Sequence, residues 1–217
     1  MKANDLMAKR LVLLAGNIGV GKTSLTERIG ERLGWKTAYE SVADNPYLPD
    51  FYENMRDWSF HLQIYFLGHR AEQHIYLANH PQSAIIDRSI YEDAYIFARA
   101  LYHMDNIRER DYHAYLRLYH LIVQSLPKPD LLILLQAPVA VLMERIRRRA
   151  RNIETGIDEA YLSLLARFYD EWIQGFDLCP VLTIRSDDLD FVHKDEHLDI
   201  VVQRVKDKLA GHEEMIF

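Results

Sequence analysis

Gly16-Asn17-Ile18-Gly19-Val20-Gly21-Lys22-Thr23 fits the pattern GxxxxGK[ST]. It follows an apolar run, Leu11 to Ala15, that reads as a strand, and it opens a stretch of helical periodicity from Lys22 to Leu33. That context separates a phosphate loop from a chance glycine-rich turn. Glycines at 16, 19 and 21 let the backbone wrap close to an anion, so that successive N–H groups and the positive end of a helix meet a phosphate. Lys22 adds a point charge and Thr23 a hydroxyl ligand for Mg²⁺, with Ser24 completing the contact surface. The expected ligand is a nucleoside triphosphate.

Outward from the loop, apolar runs recur at Ala84 to Asp87, Leu131 to Gln136 and Val181 to Ile184, with a weaker one at Lys36 to Glu40 after Gly34. Helical periodicity fills the intervals: Trp58 to Asn79, Glu92 to Leu126 with a break, Val139 to Arg149, Asp158 to Gln174, and Lys194 to Leu209. Strands apolar enough to be covered on both faces, alternating with helices, predict an α/β fold: a five-stranded parallel sheet between helical layers, in one domain over residues 1–217. In such sheets ligands bind beyond the carboxyl ends of the strands, so motifs belong just after each strand.

Composition narrows the function. Of 217 residues, 49% are hydrophobic and 27% charged, which suits a compact soluble protein. The formal net charge of −6 argues against a surface that tracks nucleic acid or anionic lipid, leaving small molecules as partners. The sequence shows no membrane span and no secretory pattern, so a cytoplasmic location is expected. The single cysteine, Cys179, allows no internal disulfide and is expected to be a buried small hydrophobe. Among ten histidines no HExxH occurs, and His69 and His74 fall on different helix faces, so histidine ligation of a metal is not expected.

Further motifs occur in order. Glu40-Ser41-Val42 follows the weak strand, Gln63 lies in the helix from Trp58 to Arg70, Asp87-Arg88-Ser89 ends the third run, and an arginine-rich stretch precedes Gly156. With the phosphate loop they resemble the deoxynucleoside kinases, most closely the bacterial deoxyadenosine, deoxyguanosine and deoxycytidine kinases, from about Leu11 to Phe191. The resemblance implies a P-loop kinase fold, transfer of the γ-phosphate of ATP to the 5′-hydroxyl of a deoxynucleoside, and a homodimer.

It also implies roles. Glu40 matches the acid that takes the 5′-hydroxyl proton; the family usually follows it with proline, where Ser41 stands here. A carboxylate at a strand end beside a phosphate loop is well placed to orient an attacking hydroxyl. Asp87 matches the acid serving Mg²⁺, and Arg88 the arginine that steadies the reacting oxygens. Tyr52 and Glu154 match the pair at the sugar 3′-hydroxyl, and Trp58 an aromatic residue lining the pocket.

For the base, Gln63 can donate and accept in one plane. Arg70, two helical turns on, and Asp93 match the base readers, with Phe66 narrowing the pocket. The thymidine-accepting branch carries smaller apolar residues at these two places. A carboxylate accepts an amino hydrogen and meets a thymine carbonyl badly, so adenine, cytosine or guanine is expected.

Arg145 and Arg149, four apart in the densest basic run, match arginines of a lid spanning about 145–156 that closes over the triphosphate. Asp190 and Phe191 resemble the loop that holds the donor adenine. The stripe Tyr112, Tyr115, Leu116, Tyr119 and Val123 reads as core or subunit interface. Two other readings compete. A nucleoside monophosphate kinase needs arginines for an acceptor phosphate and usually an aromatic after its Asp-Arg, where Ser89 stands. A non-catalytic nucleotide-binding subunit has no need of Lys22, Thr23, Glu40, Arg88 and the lid arginines together.

Overall fold

The computed structural model describes residues 8–39, 45–150 and 156–211. Strands β1 (Leu11–Gly16), β2 (Lys36–Ala38), β3 (Ala84–Asp87), β4 (Leu131–Gln136) and β5 (Val181–Arg185) form one sheet in the order β2-β3-β1-β4-β5. Every pairing is parallel, with Leu14 opposite Asp87 on one side of β1 and Gly16 opposite Leu135 on the other. The glycine loop therefore leaves the middle strand, between the two neighbours whose ends carry chemistry.

Alternation along the strands divides the core. Leu11, Leu13, Ala15, Ala84, Ile86, Leu132 and Leu134 point to one face and pack against one layer of helices. Val12, Leu14, Ile85, Leu131, Ile133 and Leu135 point to the other, under a second layer of helices. All six residues of β1 are buried, which only a strand covered on both faces requires.

The helices are α1 (Lys22–Leu33), α2 (Leu48–Glu53), α3 (Met55–Asn79), α4 (Ile90–Glu92), α5 (Arg99–His103), α6 (Glu109–Ser125), α7 (Val139–Arg149), α8 (Glu159–Gln174) and α9 (Asp195–Leu209). Asn54 caps α3 by accepting from the Asp57 N–H, so this helix starts ahead of the expected Trp58. The short α2, with Pro49 in its first turn, shows no periodicity long enough to be read from sequence. The expected break between Glu92 and Leu126 lies at residues 104–108, where Asp105 takes a positive φ of 57°. Between α4 and α5 the chain makes a wide π-helical turn, Asp93–Ala98.

The tyrosine stripe of α6 is core: Tyr112, Tyr115 and Tyr119 are buried. Cys179 is half-buried rather than fully so, and burial together with nearby Asp130 pushes its thiol up to about 12, which leaves it unreactive.

Candidate active site

The phosphate loop is held open by main-chain geometry. Gly16, Gly19 and Gly21 have φ of 142°, 81° and 104°, a region a side chain at Cβ resists. A Cβ on Gly16 would stand 2.5 Å from the Leu135 carbonyl oxygen. Asn17 fastens the loop by donating to the Leu162 carbonyl at 2.9 Å and accepting from the Ile18 N–H at 2.8 Å. The Val20 N–H closes a turn on the Asn17 carbonyl, and α1 then starts with Leu25 N–H bonding the Gly21 carbonyl. Lys22 folds back over this cradle, its Nζ 2.9 Å from Gly16 O and 3.0 Å from Asn17 O.

Facing the loop, β3 ends in a turn that places acid and base together. Thr23 donates its hydroxyl to Asp87 Oδ2 at 2.5 Å, while the buried Asp87 Oδ1 meets no hydrogen-bond partner among the described residues. Arg88 holds a φ of 70°, a strained backbone for a non-glycine residue and one that concentrates at functional sites. Its N–H is tied to the Leu14 carbonyl at 2.9 Å and its guanidinium lies 4.2 Å from the Phe97 ring centroid.

The base readers come from α3 and the π-helical turn. Gln63 is buried, with its Oε1 unmet by any hydrogen-bond donor among the described residues. Arg70 and Asp93 form a buried ion pair, 6% and 1% exposed. The Arg70 guanidinium also lies 4.7 Å from the Phe66 ring centroid. The widened turn that begins at Asp93 is the form of helical irregularity that recurs at functional sites.

One cavity of about 250 Å³ joins these parts. Ile18, Gly19, Lys22 and Thr23 line its loop end, Asp87 and Arg88 its middle, and Tyr52, Gln63, Phe66, Arg70 and Asp93 its far end, with Arg149 and Gly156 along the side. Sequence reasoning missed Phe51, Phe97 and Tyr161 among the lining. Their only local signal is an apolar periodicity that any core aromatic shares. Burial pushes the Tyr161 phenol up to about 12 despite the charge of Arg88, so it acts as a donor.

Four expected participants do not line this cavity. Trp58 packs on Tyr47 and His61, with centroids 6.0 and 5.3 Å away, and does not line the cavity. Arg145, unlike Arg149, is outside the lining: its guanidinium donates to Val20 O at 3.1 Å, Ser186 Oγ at 2.9 Å and Ser186 O at 2.7 Å. It buttresses the phosphate loop from behind. Phe191 is buried against that same loop, its ring 3.4 Å from where a Gly21 Cβ would stand. Asp190 accepts from the His193 N–H, and these contacts hold its carboxyl below the usual range. Glu40 and Glu154 lie outside the described residues.

Known proteins resemble this chain over most of its length. Residues 12–210 match the family model described as Deoxynucleoside kinase. The chain is 36% identical over 207 residues to the deoxyadenosine/deoxycytidine kinase of Bacillus subtilis, covering 94% of this chain and 95% of that one. It is 37% identical over 208 residues to the deoxyguanosine kinase of Lactobacillus johnsonii, covering 92% of each. Among solved structures, deoxyadenosine kinase from M. mycoides with products dCMP and a flexible dCDP bound superposes with a TM-score of 0.80 at 27% identity, covering 90% of this chain and 98% of that one. The same enzyme with bound dATP gives 0.78 at 26% identity, covering 91% and 99%.

Proposed function

The chain belongs to the deoxynucleoside kinase family and is a kinase of that kind, and on that premise we propose that it moves the γ-phosphate of ATP to the 5′-hydroxyl of deoxyadenosine, deoxycytidine or deoxyguanosine in preference to thymidine. The observation that carries this reading is the convergence of Gln63, the Arg70–Asp93 pair, Arg88 and Lys22 on one cavity. A nucleobase placed against Gln63 gives the unmet Oε1 an amino hydrogen, and the Asp93 carboxylate accepts another. Thymine offers a carbonyl there instead, which leaves buried acceptors unpaired.

With the base so placed, the sugar lies toward Tyr52 and its 5′-oxygen toward the strand ends. Phosphoryl transfer asks the protein mainly for alignment and for positive charge around the moving group. Arg88, fixed in its strained turn, faces the reacting oxygens, Lys22 serves the donor phosphates and Arg149 reaches in from the end of α7. Glu40 orients the attacking hydroxyl and takes its proton. Mg²⁺ fits the residues present: the unmet Asp87 Oδ1 beside the Thr23 hydroxyl is an oxygen donor set of the kind that cation prefers. When bound, the cation neutralises charge on the donor phosphates.

Two neighbouring helices bear on assembly. The outer sides of α3 and α6, which pack together, expose Ile75, Tyr76, Leu118 and Leu121. A second copy laid on these helices would cover that apolar surface, which supports a homodimer testable by analytical ultracentrifugation. No described helix is long and apolar enough to cross a membrane, and dependence on ATP favours the cytoplasm.

The test is release of ADP from Mg²⁺-ATP with each of the four deoxynucleosides in turn. Turnover with at least one amino-bearing deoxynucleoside, exceeding that with thymidine, is expected. Turnover confined to nucleoside monophosphates would transfer the enzyme to the monophosphate kinases.

A further inference from the structure

Beneath the phosphate loop the fold buries a carboxylate and a phenol to which the phosphoryl transfer itself gives no part. Glu92 is 0% exposed and Tyr169 3%. Their position follows from the sheet. Peptide groups alternate in direction along a strand, and the Leu14 carbonyl of β1 faces β3, where it accepts from the Arg88 N–H. Gly16, two residues on, faces the same side, but β3 has ended because Arg88 turns away. Side chains take the place of the missing strand. The Gly16 N–H donates to Glu92 Oε2 at 3.3 Å, and the Gly16 carbonyl accepts from the Tyr169 hydroxyl at 2.9 Å and from Lys22 Nζ at 2.9 Å. The Tyr169 hydroxyl also meets Glu92 Oε2, and the Ser89 N–H donates to Glu92 Oε1 at 2.7 Å.

The phenol has one proton and two acceptors within reach. While Lys22 rests on the Gly16 carbonyl, that oxygen is satisfied and the phenol proton is free to serve Glu92. A phosphate-loop lysine, however, works at the β- and γ-phosphates of a bound triphosphate. When Lys22 moves there it leaves two carbonyls. Asn17 O keeps the Val20 N–H at 3.3 Å, whereas the Gly16 oxygen keeps only Tyr169 among the partners described. Glu92 tolerates the change, since the Gly16 and Ser89 N–H groups still meet its two oxygens. Burial and the adjacent Glu92 hold the phenol well above its ordinary range, so the proton is always there to be redirected.

We propose that Tyr169, anchored by Glu92, is a positioning residue for donor binding: its hydroxyl takes over the Gly16 carbonyl when Lys22 leaves for the triphosphate. No bond to hydrogen is broken; the O–H turns from one acceptor to the other. Without that hydroxyl, binding ATP strands a buried carbonyl, which weakens the step by roughly 5- to 150-fold. The inference rests on the reading of Lys22 as the phosphate lysine.

The test compares wild type with Tyr169→Phe by calorimetric titration, using a non-hydrolysable Mg²⁺-ATP analogue and, separately, the deoxynucleoside that wild type turns over fastest. Tyr169→Phe is expected to raise the analogue Kd by about tenfold and to leave the nucleoside Kd unchanged. Equal analogue affinities, or parallel losses for both ligands, overturn the proposal. Failure of wild type to bind the analogue would overturn the reading of Lys22 instead. A second measurement needs no nucleotide. In a Lys22→Met background the Gly16 carbonyl already depends on Tyr169, so adding Tyr169→Phe must lower the melting temperature more than it does alone; additive losses overturn the proposal. Should the Phe variant not fold, wild type labelled with ¹³C at Cζ of Tyr169 reports the same event. Its resonance is expected to move on adding the analogue and not on adding nucleoside, and an unmoved resonance overturns the proposal.

Discussion

The two ends of the cavity are made of different materials. At the loop end, eight consecutive residues supply main-chain groups, and glycine geometry sets their direction. At the base end, Gln63 and Arg70 on α3 and Asp93 on the π-helical turn supply side chains, and each has to be buried and partnered. Main-chain donors look alike to every triphosphate, so the loop end holds a common ligand. Side-chain donors and acceptors distinguish one base from another, so discrimination belongs at the base end. The division teaches that donor binding and base choice are separable by mutation.

The largest effect expected is at the join between the ends. Glu40→Ala is predicted to lower kcat about 10²- to 10⁴-fold while ATP affinity stays near that of wild type, read by steady-state rates and calorimetry. Normal turnover would remove Glu40 from the catalytic role, and loss of ATP binding would mean that the ends are not independent.

Next comes the base end alone. Asp93→Ala removes the carboxylate paired with the buried Arg70, at a cost of about 3–5 kcal/mol, visible in denaturant unfolding. Replacing both partners, Arg70→Met with Asp93→Ala, removes the buried charge as well and is expected to recover much of that stability. It should also shift the ratio of thymidine to deoxyadenosine turnover toward thymidine by roughly 5- to 150-fold. An unchanged ratio would deny the pair its part in discrimination.

Glycines offer a smaller contrast. Gly16→Ala sets a Cβ 2.5 Å from the Leu135 carbonyl at a φ of 142°, and a loss of about 1–3 kcal/mol with weaker ATP binding is expected. Gly68, in the middle of α3 with open space around its Cα, should respond to Ala with a gain of about 0.5–1 kcal/mol and no change in either ligand. Matching effects at the two positions would contradict a backbone-built loop end.

The smallest effect is in pH. His74 on α3 is buried against the Pro127 carbonyl at 2.7 Å, and burial lowers its pKa from the ordinary 6.5. The unfolded chain therefore takes up the proton first as pH falls. The stability that the neutral ring contributes is complete above pH 6.5 and is lost progressively below it. Thermal melts of wild type and His74→Gln are expected to converge as pH falls below that value; parallel curves would place the acid sensitivity elsewhere.

Much of the donor end is legible in the order of residues. The motif from Gly16 to Thr23 is contiguous, and its context of strand and helix is local. The base readers need more, because Gln63, Arg70 and Asp93 become a set only through the family resemblance; periodicity alone places Gln63 and Arg70 on one helical face and says nothing of Asp93. Trp58 and Arg145 show the limit of carrying roles over by position. Packing across the fold sets the indole against Tyr47 and the guanidinium against Ser186.

Local order along the chain determined the glycine loop, the four stronger strands and the alternation that demands a covered parallel sheet, since peptide geometry and period-two burial act between near neighbours. Contact across the fold decided the rest. The π-helical turn that presents Asp93, the partners of Arg145, and the meeting of Glu92 with Tyr169, 77 residues apart, depend on which side chains packing brings within hydrogen-bond reach, and a one-dimensional pattern carries no such distances.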